Sequence, residues 1–267
     1  MNTYYSVWKI RFIAGLQYRA AALAGMATQL FFGFIFIMVY EAFYSHSFNQ
    51  PSFSLEQLVS YIWLQQAFLG LVALWFRDQD IFQLITSGHI AYELCRPCGM
   101  YPFWYAKLLA TRISNVLLRC FLILPVAFFL PEPYRMSLPP SFAACLLFLA
   151  ALLLGLLVVV AVSMLIYISV FWTMSPAGSV LMIAIAGEFF SGMIIPVPFM
   201  PLWLQKIVYI LPFRWTVDFP FRVYSGHIPA AEALWGMLVQ FLWLLALVAA
   251  GRWCLNRALR KVVVQGG

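Results

Sequence analysis

Long apolar runs broken by short polar segments set the pattern of this chain. Six stretches, residues 20–43, 58–76, 106–130, 142–172, 177–195 and 234–253, are apolar over about the length that crosses a bilayer. They are continuous rather than alternating, which predicts spanning α-helices and not barrel strands. The fourth run is long enough to tilt or to project beyond the lipid. Ahead of the first, residues 1–19 interleave Trp8, Ile10, Phe12 and Leu16 with Lys9, Arg11 and Arg19. That mixture predicts an amphipathic helix lying in the membrane interface; a polar lead-in to the first span is the other reading. No inserted soluble domain or internal repeat is evident, so residues 1–267 read as one all-α transmembrane domain.

Two breaks in the pattern stand out. Residues 77–97 form a charged, helix-capable elbow between the second and third runs. Ile81, Phe82, Leu84 and Ile85 give it a short apolar face, flanked by Asp78, Asp80 and Glu93. Gly88 breaks this helix and Pro97 ends the segment after it. Residues 196–230 carry Pro196, Pro198, Pro201, Pro212, Pro220 and Pro229 yet stay rich in Phe, Trp, Leu and Ile. Residues 200–211 are apolar but too short to span, as expected of a re-entrant or interfacial helix. Irregular backbone at membrane depth needs protein or a wet cavity to satisfy it. The segment therefore reads as a helical hairpin dipping in before the last span, or as an amphipathic surface loop.

Composition agrees. Hydrophobic residues make up 64% and charged residues 9%, against about a quarter charged in a soluble domain. The net charge of +7 points to loops facing anionic lipid, not to nucleic acid. Lys9, Arg11 and Arg19 precede the first run. Arg77, Arg96, Lys107 and Arg112 fall around the elbow, and Arg252, Arg257, Arg260 and Lys261 follow the last run. With six spans all of these share one side, leaving Arg135, Lys206, Arg214 and Arg222 opposite. The expected protein is multi-pass, with both termini cytoplasmic. The first apolar run has no small-residue cleavage pattern, so no secretory signal is expected.

Little catalytic chemistry is present. The sequence contains no G-x-x-x-x-G-K-[ST] phosphate loop, no H-E-x-x-H and no G-x-S-x-G. His46, His89 and His227 fall on different loops, so neither a metal site nor a cofactor is expected on this chain. Cys95 and Cys98 have C-x-x-C spacing but no second Cys or His pair beside them. Ionisable residues within spans are costly, at about 2.5–3.5 kcal/mol near a helix centre. Glu188 and Arg119 are the clearest cases. Glu188 either lines a substrate path or bonds a neighbouring helix, with Arg119 as one partner; Arg119 either snorkels, pairs or meets substrate. Gln65 and Gln66 either bond across helices or face a cavity.

The sequence Ser87-Gly88-His89-Ile90-Ala91-Tyr92-Glu93-Leu94-Cys95-Arg96-Pro97 resembles the S-G-x-I-x-x-x-L-x-R-P stretch of a bacterial permease group. Ser191-Gly192-Met193-Ile194-Ile195-Pro196, Phe199-Met200-Pro201, Leu211-Pro212-Phe213 and Tyr224-Ser225-Gly226 are similar to the same group. Together with the order of elements, the chain resembles the membrane subunit of a bacterial type-2 ATP-binding-cassette exporter. The resemblance implies an inner-membrane location, a separate cytoplasmic ATPase dimer that binds ATP and Mg, and a second permease copy or related permease. It implies a coupling helix supported by Asp80, Ile81, Phe82, Ile85, Ser87, Gly88, Glu93, Leu94, Arg96 and Pro97. It places an external hairpin on Gly192, Pro196, Pro198, Pro201 and Pro212, with Glu188, Arg119 and Gln65 as translocation-path candidates. The aromatic interior and scarcity of charge favour an amphipathic or hydrophobic cargo such as a drug, peptide or lipid. An ion-coupled secondary carrier and a non-transporting scaffold are the competing readings. A vitamin-importing cassette component would carry A-R-G coupling triplets that this chain lacks.

Overall fold

The computed structural model describes residues 3–17, 19–46 and 53–260. Residues 1, 2 and 18 of the expected interfacial helix, and Lys261 among the expected basic residues, lie outside the described residues. The described chain is α-helical and has no strand. In chain order the helices are α1 (Thr3–Gln17), α2 (Arg19–His46), α3 (Leu55–Val72), α4 (Gln79–Thr86), α5 (Ile90–Leu94) and α6 (Met100–Phe129). There follow α7 (Phe142–Thr173), α8 (Pro176–Phe190), α9 (Leu202–Ile210), α10 (Asp218–Tyr224) and α11 (Ala230–Leu259).

Four of these are long and apolar enough to cross a membrane: α2 over Leu23–His46, then α6, α7 and α11. The second and fifth of the six expected spans correspond to α3 and α8. Helix α8 has 15 residues, roughly 22 Å of rise against ~30 Å of hydrocarbon. It stops at Phe190 rather than Ile195, because Ser191 caps it and Gly192 turns the chain at φ +83°. Helix α3 carries Ser60, Gln65 and Gln66, all buried. Its polar side chains face protein, so its composition falls short of a lipid-facing span. A capping box starts it: Ser54 Oγ accepts from the Gln57 amide at 3.2 Å, and Gln57 Oε1 accepts from the Ser54 amide at 3.1 Å.

Helix α7 is the hub. Its 32 residues rise roughly 48 Å, and Val158, Val159, Val160 and Ala161 are fully enclosed. It packs against α11, α10, α8, α6 and α4. Gly155 permits its closest approach: a Cβ there would lie 3.2 Å from the carbonyl oxygens of both Trp215 and Thr216. Gln240 of α11 seals the same junction, its amide donating to Ala151 O at 2.9 Å and Trp215 O at 2.7 Å.

One end of the bundle holds the elbow, formed by α4 and α5. The start of α6 and the last turns of α11 lie at this end, where Tyr101 crowds Gly251 and sits beneath the Arg252 guanidinium. The other end holds the Pro-rich segment. Pro196 and Pro198 enter a 3₁₀ turn at Val197–Phe199, Pro201 precedes α9, and Pro212 precedes a second turn at Phe213–Thr216. Two short helices are present, and they differ in setting. Every residue of α10 is buried, whereas α9 exposes Leu202, Trp203 and Ile210.

Gly155→Val should force α7 away from the Trp215–Thr216 backbone, which cannot yield as a side-chain tip can. The expected cost is about 1–3 kcal/mol, read as a lower melting midpoint of the detergent-solubilised protein, with Gly155→Ala falling between the variant and the parent.

Candidate functional site

The elbow is held by charge on one side and aromatic packing on the other. Asp78 caps α4, its Oδ1 accepting from the Asp80 amide at 3.0 Å. Lys107 of α6 reaches Asp78 at 2.8 Å and Asp80 at 3.3 Å, and Arg11 of α1 reaches Asp80 at 2.6 Å. Two separate helices thus converge on the first turn of α4. The Arg11 hydrogen bond, assisted by Lys107, holds the Asp80 carboxyl below its ordinary value of 3.8. From α7, Tyr167 takes a 2.6 Å hydrogen bond from the Asp78 amide and packs its ring 4.6 Å from that of Phe82.

The apolar face of α4 points into the helix bundle. Ile81, Phe82 and Ile85 are buried there, while Asp80, Gln83, Ser87 and Gly88 are exposed. In α5, Glu93 is buried and bonded to Arg96 at 3.0 Å; the Arg96 guanidinium lies 4.8 Å above the Phe103 ring. Leu94, Arg96 and Pro97 are exposed, as is Tyr92 at 71%. The predicted elbow residues therefore divide into an inner anchor (Ile81, Phe82, Ile85, Glu93) and an outer surface (Asp80, Ser87, Gly88, Leu94, Arg96, Pro97). Tyr167 and Lys107 complete the anchor. Sequence reading could not assign them this role, since one sits in an apolar run and the other looks like a loop charge.

Just above the elbow, α3 ends inside the bundle. Arg112 donates from Nη1 to Leu71 O at 3.0 Å and Ala73 O at 2.7 Å, and from Nη2 to Ser163 Oγ at 3.0 Å. Glu188 Oε1 accepts from the Leu74 and Trp75 amides at 3.2 and 3.3 Å. The suggested Glu188–Arg119 pairing is replaced by this arrangement. Arg119 lies against α2, where a Cβ on Gly25 would meet its guanidinium at 3.0 Å. Arg112, which the sequence places among the basic residues around the elbow and at the foot of the third run, is only 3% exposed. The reason is register: α6 begins at Met100, not 106, which sets Arg112 roughly 18 Å along the helix.

A few residues beyond Glu188, Gln65 donates to Gly192 O at 3.1 Å and Met193 O at 3.0 Å, and Tyr61 OH donates to Gly192 O at 2.9 Å. The Asp218 amide donates to Ser191 O at 3.1 Å. Asp218, fully buried, pairs with Arg222 at 3.2 Å. Arg214 lies 3.8 Å over the Tyr209 ring and 4.5 Å over that of Trp215. Arg214 and Arg222, counted from sequence as loop charges, are interior. Glu188, Arg119 and Gln65 are thus not gathered into one site; each serves a different helix junction.

Residues 27–266 match the family model described as ABC-2 family transporter protein. The chain belongs to that family. It is a multi-pass membrane protein and a transport component, and ABC-2 permeases of this kind work with an ATPase subunit. No curated protein and no solved structure matches the chain. In this ABC-2 chain the elbow is a two-faced body: a locked inner face continuous with α6 and α7, and a free outer face.

Arg112→Leu would leave the α3 carbonyls unpaired inside the bundle and should cost about 1–3 kcal/mol, measured as thermal stability in detergent. Glu188→Gln keeps an acceptor oxygen for the two amides and should cost less. The Arg11–Asp80 bridge depends on a depressed carboxyl pKa, so its contribution is present above the unfolded value and is lost as pH falls through the lower folded one. The protection factors of the α1 amides, which are corrected for the intrinsic pH dependence of exchange, should accordingly be unchanged between about pH 5 and 8 and fall only in stronger acid.

Proposed function

We propose that this chain is the membrane-spanning subunit of an ATP-driven exporter that moves an amphipathic or hydrophobic cargo outward. Energy comes from Mg-ATP on a separate cytoplasmic ATPase dimer, and the permease works with a second copy or a related permease. On this reading α3 and α8 complete six crossings of a bacterial inner membrane. The elbow and both termini are cytoplasmic, and residues 196–230 form an external re-entrant cap.

The observation that carries the proposal is the mechanical continuity of the elbow. Helix α4 is fixed to α7 through Tyr167 and Phe82 and to α6 through Lys107. Helix α7 in turn packs on α10 and on the Phe213–Thr216 turn. A displacement applied to the elbow's outer face would move α7 as a rigid strut and reach the hairpin end. Rigid-body shifts of packed helices are a common form of such switching. The exposed Tyr92 and Leu94 suit an interface anchor, because aromatic and apolar groups seated in pockets carry much of the energy of a docking surface.

Gentle solubilisation of the tagged chain from its native membrane should recover a Walker-motif ATPase in stoichiometric amount, identified by mass spectrometry. Leu94→Asp should reduce that recovery by roughly tenfold or more, the size of a lost hot spot, while leaving the permease's own elution unchanged. Recovery of the permease without an ATPase, reproduced under crosslinking, would overturn the proposal in favour of the ion-coupled carrier.

A further inference from the structure

Two adjoining pockets lie at the hairpin end, where α3 starts, α6 ends and α7 starts. One is an apolar well of about 540 Å³, walled by Leu64 and Phe68 of α3, Leu124 and Phe128 of α6, and Phe148 and Leu149 of α7. The other, of about 510 Å³, is rimmed by Glu56, Glu132 and Arg135. Met136 and Leu138 line both. Each volume falls within the ~300–1,000 Å³ of small-molecule sites. Among the described residues, none of the three rim charges takes part in an ion pair.

The geometry selects an elongated amphiphile. Glu56 precedes Leu64 and Phe68 on the same helix, which separates rim from well by roughly 12–18 Å. The occupant therefore has a polar head and an apolar body at least that long. The rim has both signs, two carboxylates and one guanidinium, with an excess of negative charge. It suits a headgroup that itself carries an ammonium and a phosphate: the ammonium toward Glu56 and Glu132, the phosphate toward Arg135. A headgroup bearing only negative charge would meet net repulsion. We propose that these joined pockets hold one resident phospholipid of the surrounding bilayer with an ammonium-bearing headgroup, its acyl chain in the α3–α6–α7 well. Neither the elbow nor an ATPase enters this inference, so it can fail separately from the exporter reading.

The test is native mass spectrometry of the full chain in mild detergent, after incubation with equal amounts of dioleoyl-phosphatidylethanolamine and dioleoyl-phosphatidylglycerol. The expected result is one retained lipid per chain, with ethanolamine favoured over glycerol by roughly two- to fivefold, the range of exposed ion pairs. Leu149→Trp should fill the well and abolish retention; Leu149 is already 51% exposed, so the larger ring leaves the bundle intact. Glu56→Gln with Glu132→Gln should keep retention and erase the headgroup preference. Equal retention by the parent and Leu149→Trp, or a preference for glycerol, would overturn the proposal. So would retention of a non-phospholipid amphiphile that Leu149→Trp displaces, which would make the well a cargo site.

Discussion

Where α3 stops inside the bundle, its last carbonyls and the amides that follow have no water to turn to. Buried backbone groups left unpaired cost about as much as several good contacts contribute. Arg112 and Glu188 resolve this together. The guanidinium covers Leu71 O and Ala73 O, and the carboxylate covers the Leu74 and Trp75 amides. These two side chains come from α6 and α8, and Arg112 also bonds Ser163 of α7. A backbone need at one helix end thus fixes how four helices meet, and the elbow hangs directly from that junction.

The same solution recurs a few residues beyond Glu188. The break after α8 exposes the carbonyls of Ser191, Gly192 and Met193, and Tyr61, Gln65 and the Asp218 amide satisfy them. Gln240 does likewise for Trp215 and Ala151. Irregular backbone persists inside the bundle because side chains from other helices reach it. Polar residues in α3, α6 and α11 are best understood as partners of backbone, which is why Gln65 and Glu188 are not found together around one cavity.

Alongside these junctions runs α7, whose Val158, Val159 and Val160 are enclosed. Tyr167 engages the elbow and Gly155 packs closely on the Trp215–Thr216 backbone. A close-packed interior transmits displacement rather than absorbing it. The exposed face of the elbow and the buried α10 are accordingly parts of one body. The division of the elbow motif follows from this. Ile81, Phe82 and Ile85 make it part of the permease, and Ser87, Leu94, Arg96 and Pro97 remain available outside.

Composition and the length of the apolar runs determined the membrane class and the helical fold. The local punctuation at Gly88, Pro97 and the proline series determined where the elbow and the Pro-rich segment would fall. These are one-dimensional signals, carried by neighbouring residues and their backbone preferences. Tertiary structure alone decided which charges are interior. Arg112, Arg214 and Arg222 look from sequence like cations of span ends and loops, yet all three are buried, and Arg112 bonds Leu71, 41 residues away on another helix. It also decided that α3, too polar to rank as a span by hydropathy, is among the most enclosed helices. Hydropathy scores a residue as if it faced lipid, whereas a side chain that meets an unpaired carbonyl of another helix is stabilised by a contact no single segment contains.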